Sequence, residues 1–405
     1  MDRPRGSLGA LVGEVDMTAT KKRYTTLPFV WNAVLDPSAP WPAKFLARLL
    51  DDARRYGMPA TRRPAPLWRA LAATPSVTPV LAAMLRGAPK RVSRTDLDLL
   101  HESVVDAWPA LAQRATRLPQ APPDMSILAL RRSASTSVFM FDDSATPLLV
   151  VKVPSGDDDR VAHEADALTS AQPTGIAPHY LGRVSDGFVQ EGLPGRPYRL
   201  RPIDSSTAVS VPWETHHVTI ASALKDLATA TATAEKPFEV TDGLVEAAAG
   251  SDLIGERARA AIRNAIEEIE AAPRSVLQHR DVNAQNSLFD ESVLSGIVDW
   301  EFARTNGMPG FDTLNVALSD MEHGIALKRW SPPLVAEIFA EAWSRSPLWE
   351  AARASSRDAC AAAGLEIDPQ HVETFFFTYR FARRFRAGEA SAWIAARMLE
   401  TVCGS

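Results

Sequence analysis

The pattern of hydrophobic and polar positions changes near residue 120. Before that point, apolar residues recur at helical spacing in segments such as WPAKFLARLLDDARRYG and RTDLDLLHESVVDAW, and prolines interrupt the pattern. In the second segment, Thr95 and Asp98 are placed as a capping box. One face of that predicted helix carries Leu97, Leu100, Val104 and Trp108. Because the Pro-rich stretch LPQAPPD then indicates a boundary, we predict a helical N-terminal extension over residues 1–120.

The stretch that follows alternates as β-strands do. MSILALRRSASTSVFMFDDSATPLLVVKVP contains three β-like runs, separated by a Ser/Thr-rich loop and by a turn at DDSATP. DRVAHEADALTS predicts a short helix, and HYLGRVSDGFVQEGLPGRPY predicts two more strands and a turn rich in Gly and Pro. We therefore expect an antiparallel, β-rich lobe over residues 121–192.

Helical periodicity dominates from about residue 214 onward. It is interrupted between residues 277 and 312 by the short apolar runs SLF and GIVDW. We predict that residues 193–405 form a helical lobe. Together the segments predict an α+β protein with a β-rich lobe, a helical lobe and a helical N-terminal extension.

Composition excludes several classes of function. The 405-residue chain is 46% hydrophobic and has a formal net charge of -5, so it has no basic footprint for nucleic acid. Cys360 and Cys403 are too few for a disulfide framework, and no Cys/His cluster has zinc-site spacing. No apolar run approaches a membrane span or a signal sequence, so we expect a cytoplasmic protein without membrane insertion. Either Met1 or Met17 fits as the start.

Candidate chemistry is concentrated in LQHRDVNAQNSLFD, which holds His279, Asp281 and Asn286. A carboxylate at Asp281 can accept a proton from a hydroxyl, and the Asn286 oxygen can bind a divalent metal ion. Asp299 follows at the end of the apolar run in SGIVDWE, where a carboxylate is costly unless it meets a cation. The alternative is that Asp281 and Asn286 shape a loop and that Asp299 caps a turn.

A second pair of charged residues lies upstream. Lys152 stands in the strand-like LLVVKVP, where an inward-facing ammonium needs a partner. Glu164 lies twelve residues later, on the helix predicted to follow, and its carboxylate can turn back toward Lys152. Phosphate is the other natural partner of such a lysine. The alternative is a solvated lysine at a strand end and a glutamate on a helix surface.

In this order, Lys152, Glu164, His279-x-Asp281-x4-Asn286 and Asp299 resemble the kinase-like phosphotransferases of the aminoglycoside phosphotransferase and choline kinase type. The resemblance covers roughly residues 124–320 and extends more loosely to the C-terminus. It implies a bilobal fold in which a hinge joins a nucleotide lobe to a substrate lobe. It also implies that Asp281 is the catalytic base and that Asn286 and Asp299 hold Mg²⁺.

The same resemblance implies a nucleotide site in the β-rich lobe. Lys152 would contact the α- and β-phosphates of ATP, and Glu164 would position Lys152. The hinge would be FVQEGLPG, with backbone groups near Gln190 to Gly192 meeting the adenine. The phosphate loop RRSASTSVF lacks the glycine expected there, so hydroxyls or amides of the loop would take its place. These residues are Ser133, Ser135, Ser137 and Thr136.

Two further residues are expected to support the loop around Asp281. GMPGFDTLN is similar to the family's Gly-x-Pro-x-x-Asp segment, which makes Asp312 a structural brace, and His279 is expected to be a brace rather than a ligand. Arg280 departs from the Gly that small-molecule members usually carry. A protein kinase is disfavoured because VDWE replaces Asp-Phe-Gly and no Ala-Pro-Glu element follows.

The function implied is transfer of the γ-phosphoryl group of ATP to a hydroxyl of a small molecule. The acceptor would be an antibiotic, a sugar or nucleoside-type metabolite, or an amino alcohol. If the basic edge of FFFTYRFARRFR faces the cleft, it suits an anionic acceptor better than a polycationic one. His216 and His217 have no further ligand at metal spacing and are interpreted as helix surface. The alternative function is a catalytically weak module that binds nucleotide or partner proteins.

Overall fold

The computed structural model describes residues 32–35, 94–131, 135–155, 159–328, 331–386 and 392–404. Its N-terminal part is built around a six-stranded sheet in which every pair of neighbours is antiparallel, in the spatial order β1-β2-β3-β4-β6-β5. The strands are β1 (Asn32–Leu35), β2 (Ser126–Arg131), β3 (Ser135–Phe141), β4 (Leu149–Pro154), β5 (Tyr180–Val184) and β6 (Gly187–Glu191). Two helices accompany them, α1 (Arg94–Arg114) and α2 (Arg160–Ala171).

The two faces of this sheet do different work because successive side chains of a strand point to opposite sides. On one face, Val138 and Val151 pack with the apolar side of α1, where Val104 and Trp108 are fully buried. On the other face, Lys152 follows Val151 and has Phe188 as its cross-strand partner on β6. The alternation thus turns Lys152 away from α1 and toward the second lobe.

The N-terminal extension differs from the prediction in two respects. Residues Asn32–Leu35 form an edge strand that pairs with β2, although this segment lies in the extension predicted to be helical. The described helix of the extension, α1, covers the sheet, because the sheet face around Val138 and Val151 is apolar and needs a cover. The helix begins at Arg94, so Thr95 lies inside it and not at its N-cap. The predicted boundaries at 120 and 192 remain predictions.

The second lobe is mainly helical. Its helices are α3 (Thr215–Thr231), α4 (Phe238–Thr241), α5 (Leu244–Ala249), α6 (Glu256–Ala271), α7 (Phe311–Lys328), α8 (Pro332–Trp343), α9 (Pro347–Ala362), α10 (Pro369–Arg386) and α11 (Ala392–Gly404). Its core contains an aromatic cluster in which Phe339, Trp343, Trp349 and Phe377 contact one another edge-to-face or stacked. None of the helices in the described residues is long and apolar enough to cross a membrane.

Short strands within this lobe carry the loop around Asp281. They are β7 (Arg196–Pro197), β8 (Val276–Gln278), β9 (Ser287–Asp290), β10 (Val293–Ile297) and β11 (Arg304–Gly307). They form two small antiparallel sheets, β10-β9-β7 and β11-β8. An apolar cluster that includes Phe188, Val282 and Trp300 joins them to the first lobe through α2. The α+β, bilobal architecture predicted from the sequence is therefore confirmed.

Candidate active site

The loop between β8 and β9 presents Asp281 on a rigid hydrogen-bond frame. The Asp281 Oδ2 atom accepts a hydrogen bond from Asn286 Nδ2 at 2.9 Å, and Oδ1 accepts one from Asn283 Nδ2 at 3.2 Å. The Asn283 Oδ1 atom in turn accepts from the backbone amides of Gln285 and Asn286 at 2.8 and 3.0 Å. The carboxylate of Asp281 is therefore fixed in direction while its side chain stays partly exposed.

Asp312 holds the start of this loop from behind. Its two carboxylate oxygens accept hydrogen bonds from the backbone amides of His279 and Arg280 at 2.7 and 2.8 Å. These bonds fix Arg280 at φ 70°, in the left-handed region that favours glycine. Asp312 lies at the start of α7, so its hydrogen bonds tie the loop to the terminus of this helix.

His279 links the Asp281 loop to the strand that precedes Asp299. Its Nδ1 atom accepts the backbone amide of Asp281 at 3.2 Å, so Nε2 carries the proton and donates to the carbonyl of Val298 at 3.0 Å. Burial lowers the pKa of His279 to about 4, which keeps the ring neutral near neutral pH. His279 is thus engaged at both nitrogens, as expected of a brace.

Lys152 connects the two lobes at the same place. Its Nζ atom lies 2.5 Å from Glu164 Oε1 on α2 and 3.0 Å from Asp299 Oδ1 in the second lobe. The Glu164 Oε1 atom also accepts the backbone amide of Trp300 at 3.2 Å. Three residues separated by up to 147 positions along the chain therefore meet in one charged cluster.

The electrostatics of the site follow from burial and from the proximity of two acids. The pKa of Asp281 is raised to about 6, because burial and the negative charge of Asp299 outweigh the lowering effect of the hydrogen bonds from Asn286 and Asn283. Burial also raises the pKa of Glu164 to about 6, against the lowering effect of the Lys152 ammonium. Asp281 and Asp299 are two negative charges that lie close enough to interact, so the site around them is suited to cations.

The predicted phosphate-loop residues are only partly brought to Lys152. Ser137 is the cross-strand partner of Lys152, and Ser135 lies two positions earlier on the same face. Thr136 points to the opposite face by strand alternation, and its hydroxyl bonds to Ser155 Oγ at 3.2 Å, so its predicted role beside Lys152 is not supported. Ser133 lies outside the described residues.

The hinge residues divide in a similar way. Gln190 is buried and shares a sheet face with Lys152, because its partner Val150 stands two residues before Lys152 on β4. The backbone amide of Gly192 donates to the carbonyl of Leu148 at 2.9 Å, and an added Cβ would lie 2.0 Å from Pro147 O. Gly192 therefore serves the close approach of two backbones, and its amide is not available to an adenine.

His216 and His217 also depart from the sequence interpretation. His217 is buried, and its Nδ1 atom accepts the backbone amide of Glu214 at 2.9 Å. Its Nε2 atom therefore carries the proton and donates to Asp320 Oδ2 at 2.8 Å, while Tyr198 OH donates to Asp320 Oδ1 at 2.7 Å. His217 and Asp320 thus form a buried, hydrogen-bonded pair, and the protonated Nε2 of His217 is not a metal ligand in this arrangement.

The model of the phosphotransferase enzyme family matches residues 126–354, which is more than half of the chain. No protein with a curated description matches the sequence significantly.

Solved structures similar to this chain include a macrolide 2'-phosphotransferase, MphH, from Brachybacterium faecium. It is 14% identical and covers 73% of this chain and 97% of its own, with a TM-score of 0.38. A choline kinase from Cryptosporidium parvum Iowa II is 11% identical and covers 76% and 94%, with a TM-score of 0.43. A thermostable mutant of aminoglycoside phosphotransferase APH(4)-Ia, in a ternary complex with ADP and hygromycin B, is 14% identical and covers 68% and 92%, with a TM-score of 0.39.

Proposed function

The chain belongs to the phosphotransferase enzyme family and is a small-molecule kinase, and from that premise we propose which residues transfer the γ-phosphoryl group of ATP to an acceptor hydroxyl. In this proposal Asp281 is the general base. The acceptor oxygen forms a bond to the γ-phosphorus, the bond from that phosphorus to the β,γ-bridging oxygen breaks, and the hydroxyl proton moves to Asp281. ADP carries away the electron pair of the broken bond.

The residues around Asp281 fit that role. Asn283 and Asn286 donate to its two oxygens, so the carboxylate keeps one orientation toward an incoming hydroxyl. The partial burial that raises its pKa also makes it a better proton acceptor than an exposed carboxylate. We assign Asn283 the role of a positioning residue.

Asn286 and Asp299 have the donor chemistry that Mg²⁺ requires. Because Asn286 Nδ2 is bonded to the Asp281 carboxylate and carbonyl, its Oδ1 is directed to the other side, and Asp299 offers carboxylate oxygens. Bound there, Mg²⁺ would neutralise charge on the β- and γ-phosphates. Lys152 supplies the second positive charge, and Glu164 holds its ammonium in place.

The observation that carries this proposal is the position of Lys152 Nζ between Glu164 and Asp299. A buried lysine from the β-rich lobe meets a carboxylate from the lobe that carries Asp281, which supports phosphate binding beside the proposed base. Because Asp281, Asn286 and Asp299 converge, we favour this reading over a catalytically weak binding module.

Nucleotide binding by the Lys152→Met and Asp299→Asn variants tests the proposal. We expect both to weaken Mg-ATP binding at least about tenfold, because a charge-assisted contact contributes about 1.5–3 kcal/mol. Lys225→Met, which removes an exposed lysine on α3, is the matched control and should bind normally. Binding by both site variants at the level of this control would show that the nucleotide lies elsewhere.

A further inference from the structure

Arg380 is the point where α10 opens toward the proposed site. From Val372 to Ala382, all residues of this helix except Arg380 are buried, and the Arg380 side chain is 27% exposed. Asp281 is partly exposed as well, and each of the two charges shifts the pKa of the other. The guanidinium and the proposed base are therefore close enough for their charges to interact, and both are partly exposed.

Contacts between side chains fix Arg380 relative to the catalytic loop. Its Nη1 atom donates to Asn315 Oδ1 at 2.7 Å, and Asn315 Nδ2 donates to the carbonyl of Val282 at 3.0 Å. Val282 is the residue after Asp281. Two hydrogen bonds through Asn315 thus connect the Arg380 guanidinium to the backbone next to the proposed base.

Arg380 and Arg384 share one carboxylate partner. Glu322 on α7 lies 3.6 Å from Arg380 Nη2 and 3.1 Å from Arg384 Nη2, so one carboxylate faces two guanidiniums. The pKa of Glu322 is held below its ordinary value by Arg384, Arg380 and His323 against the effect of burial, so Glu322 is ionised and its charge is already shared. Burial lowers the pKa of Arg380 to about 10, which leaves the guanidinium charged at neutral pH.

We propose that Arg380 binds an oxyanion of the acceptor, a carboxylate or a phosphate, while the acceptor hydroxyl lies at Asp281. A guanidinium offers a planar fork of donors that matches carboxylate and phosphate oxygens, and Asn315 sets the direction of that fork. A polycationic acceptor would be repelled by the guanidiniums of Arg380 and Arg384. The inference rests on the proposed function, because it names the acceptor class of that same site.

Matched acceptors of different charge test this inference in the full-length protein with Mg-ATP. The probes are glycerol and glycerol 3-phosphate, ribose and ribose 5-phosphate, and glucose, glucuronate and glucosamine, measured by phosphoryl transfer and by thermal shift with ADP. We expect the acidic member of at least one set to have the highest kcat/KM. Arg380→Gln should raise its KM about 10- to 100-fold without changing the KM for ATP. The phosphate and carboxylate members distinguish the two oxyanions.

Arg386→Gln is the control, because it removes an exposed arginine from the last turn of the same helix. Arg386→Gln should leave the KM and kcat/KM for every acceptor unchanged. The inference is overturned if neutral or cationic members are preferred in every set, if Arg380→Gln affects neutral and acidic acceptors equally, or if ADP binds normally and no acidic probe either binds or is phosphorylated. If the wild-type protein did not bind nucleotide, that result would instead contradict the proposed function itself.

Discussion

At the scale of single residues, Arg280 adopts a left-handed backbone conformation that favours glycine. At φ 70° a residue with a Cβ atom is strained. The hydrogen bonds from the backbone amides of His279 and Arg280 to Asp312 hold Arg280 in this conformation. Its guanidinium is held in turn by Tyr379 OH at 2.9 Å and lies over the Phe238 ring. These contacts explain how Arg can occupy a position where small-molecule members usually carry Gly.

Arg280→Gly and Arg280→Val separate backbone strain from side-chain contacts. Both remove the guanidinium, but only glycine is free of strain at this φ. We expect the Gly variant to be more stable than the Val variant by about 1–2 kcal/mol in denaturant unfolding. Equal stability of the two variants would mean that residue 280 is not held in the left-handed region.

Glu239 on α4 is a buried carboxylate, and its titration can be tested by the pH dependence of the free energy of unfolding. It is fully buried, its Oε2 accepts the backbone amide of Met308 at 3.0 Å, and burial raises its pKa from 4.5 to about 7. Since the folded state binds this proton more tightly than the unfolded state, the stabilisation is complete below about pH 4.5 and is lost as the pH rises to 7. The loss can reach about 3 kcal/mol.

Glu239→Gln removes this titration and keeps an oxygen for Met308. We therefore expect the free energy of unfolding of the variant to fall less than that of wild type between pH 5 and 7.5. Glu235→Gln, which changes an exposed residue just before α4, should follow wild type. Parallel pH profiles for wild type and Glu239→Gln would contradict a raised pKa.

At the scale of elements, the segment after α1 is hydrogen-bonded to the predicted hinge. Glu191, the last residue of β6, accepts hydrogen bonds from Thr116 N at 2.7 Å, Thr116 Oγ1 at 2.8 Å and Arg117 N at 2.8 Å. Arg114 Nη1 adds a bond to the carbonyl of Leu181 on β5 at 3.0 Å. The N-terminal helix is thereby tied to the strand that enters the hinge.

Glu191→Ala should release this tie. Two backbone amides of exposed residues would lose a charged acceptor, at a total cost of about 1–3 kcal/mol, and the predicted hinge would be less fixed. We expect a raised KM for ATP, a smaller change in kcat, and an intermediate effect for Glu191→Gln, which keeps one acceptor oxygen. A folded Ala variant with the wild-type KM for ATP would show that the tie does not position the hinge.

The elements also show what the sequence could and could not predict. β2 to β6 follow from β-like apolar runs bounded by turn residues, and α2 follows from helical periodicity. β1 has four residues and no comparable signal, and the docking of α1 depends on a sheet face distant in sequence. The roles of Asn315 and Arg380 depend on α7 and α10 meeting beside the loop, which no local pattern reveals.

In the whole molecule, the two lobes meet where charge has been brought together at the expense of desolvation. Lys152, Glu164, Asp299 and Asp281 come from both lobes, and burial raises the pKa of both Asp281 and Glu164. Such a cluster is costly for stability, and charges kept at that cost are typical of binding and catalytic sites. The central claim is that this site separates two tasks: Lys152 and Asp299 bind the nucleotide, and Asp281 accepts the proton.

The most direct test of that claim compares ATP binding with phosphoryl transfer in Asp281→Asn, with Asp290→Asn on β9 as an exposed control. The amide keeps the size of the carboxylate but cannot accept the proton. The account predicts that the rate of transfer to the preferred acceptor falls at least about a hundredfold while the Kd for Mg-ATP changes little, and that the control is unaffected. Wild-type transfer by Asp281→Asn, or a loss of ATP binding that fully explains the slower rate, would contradict it.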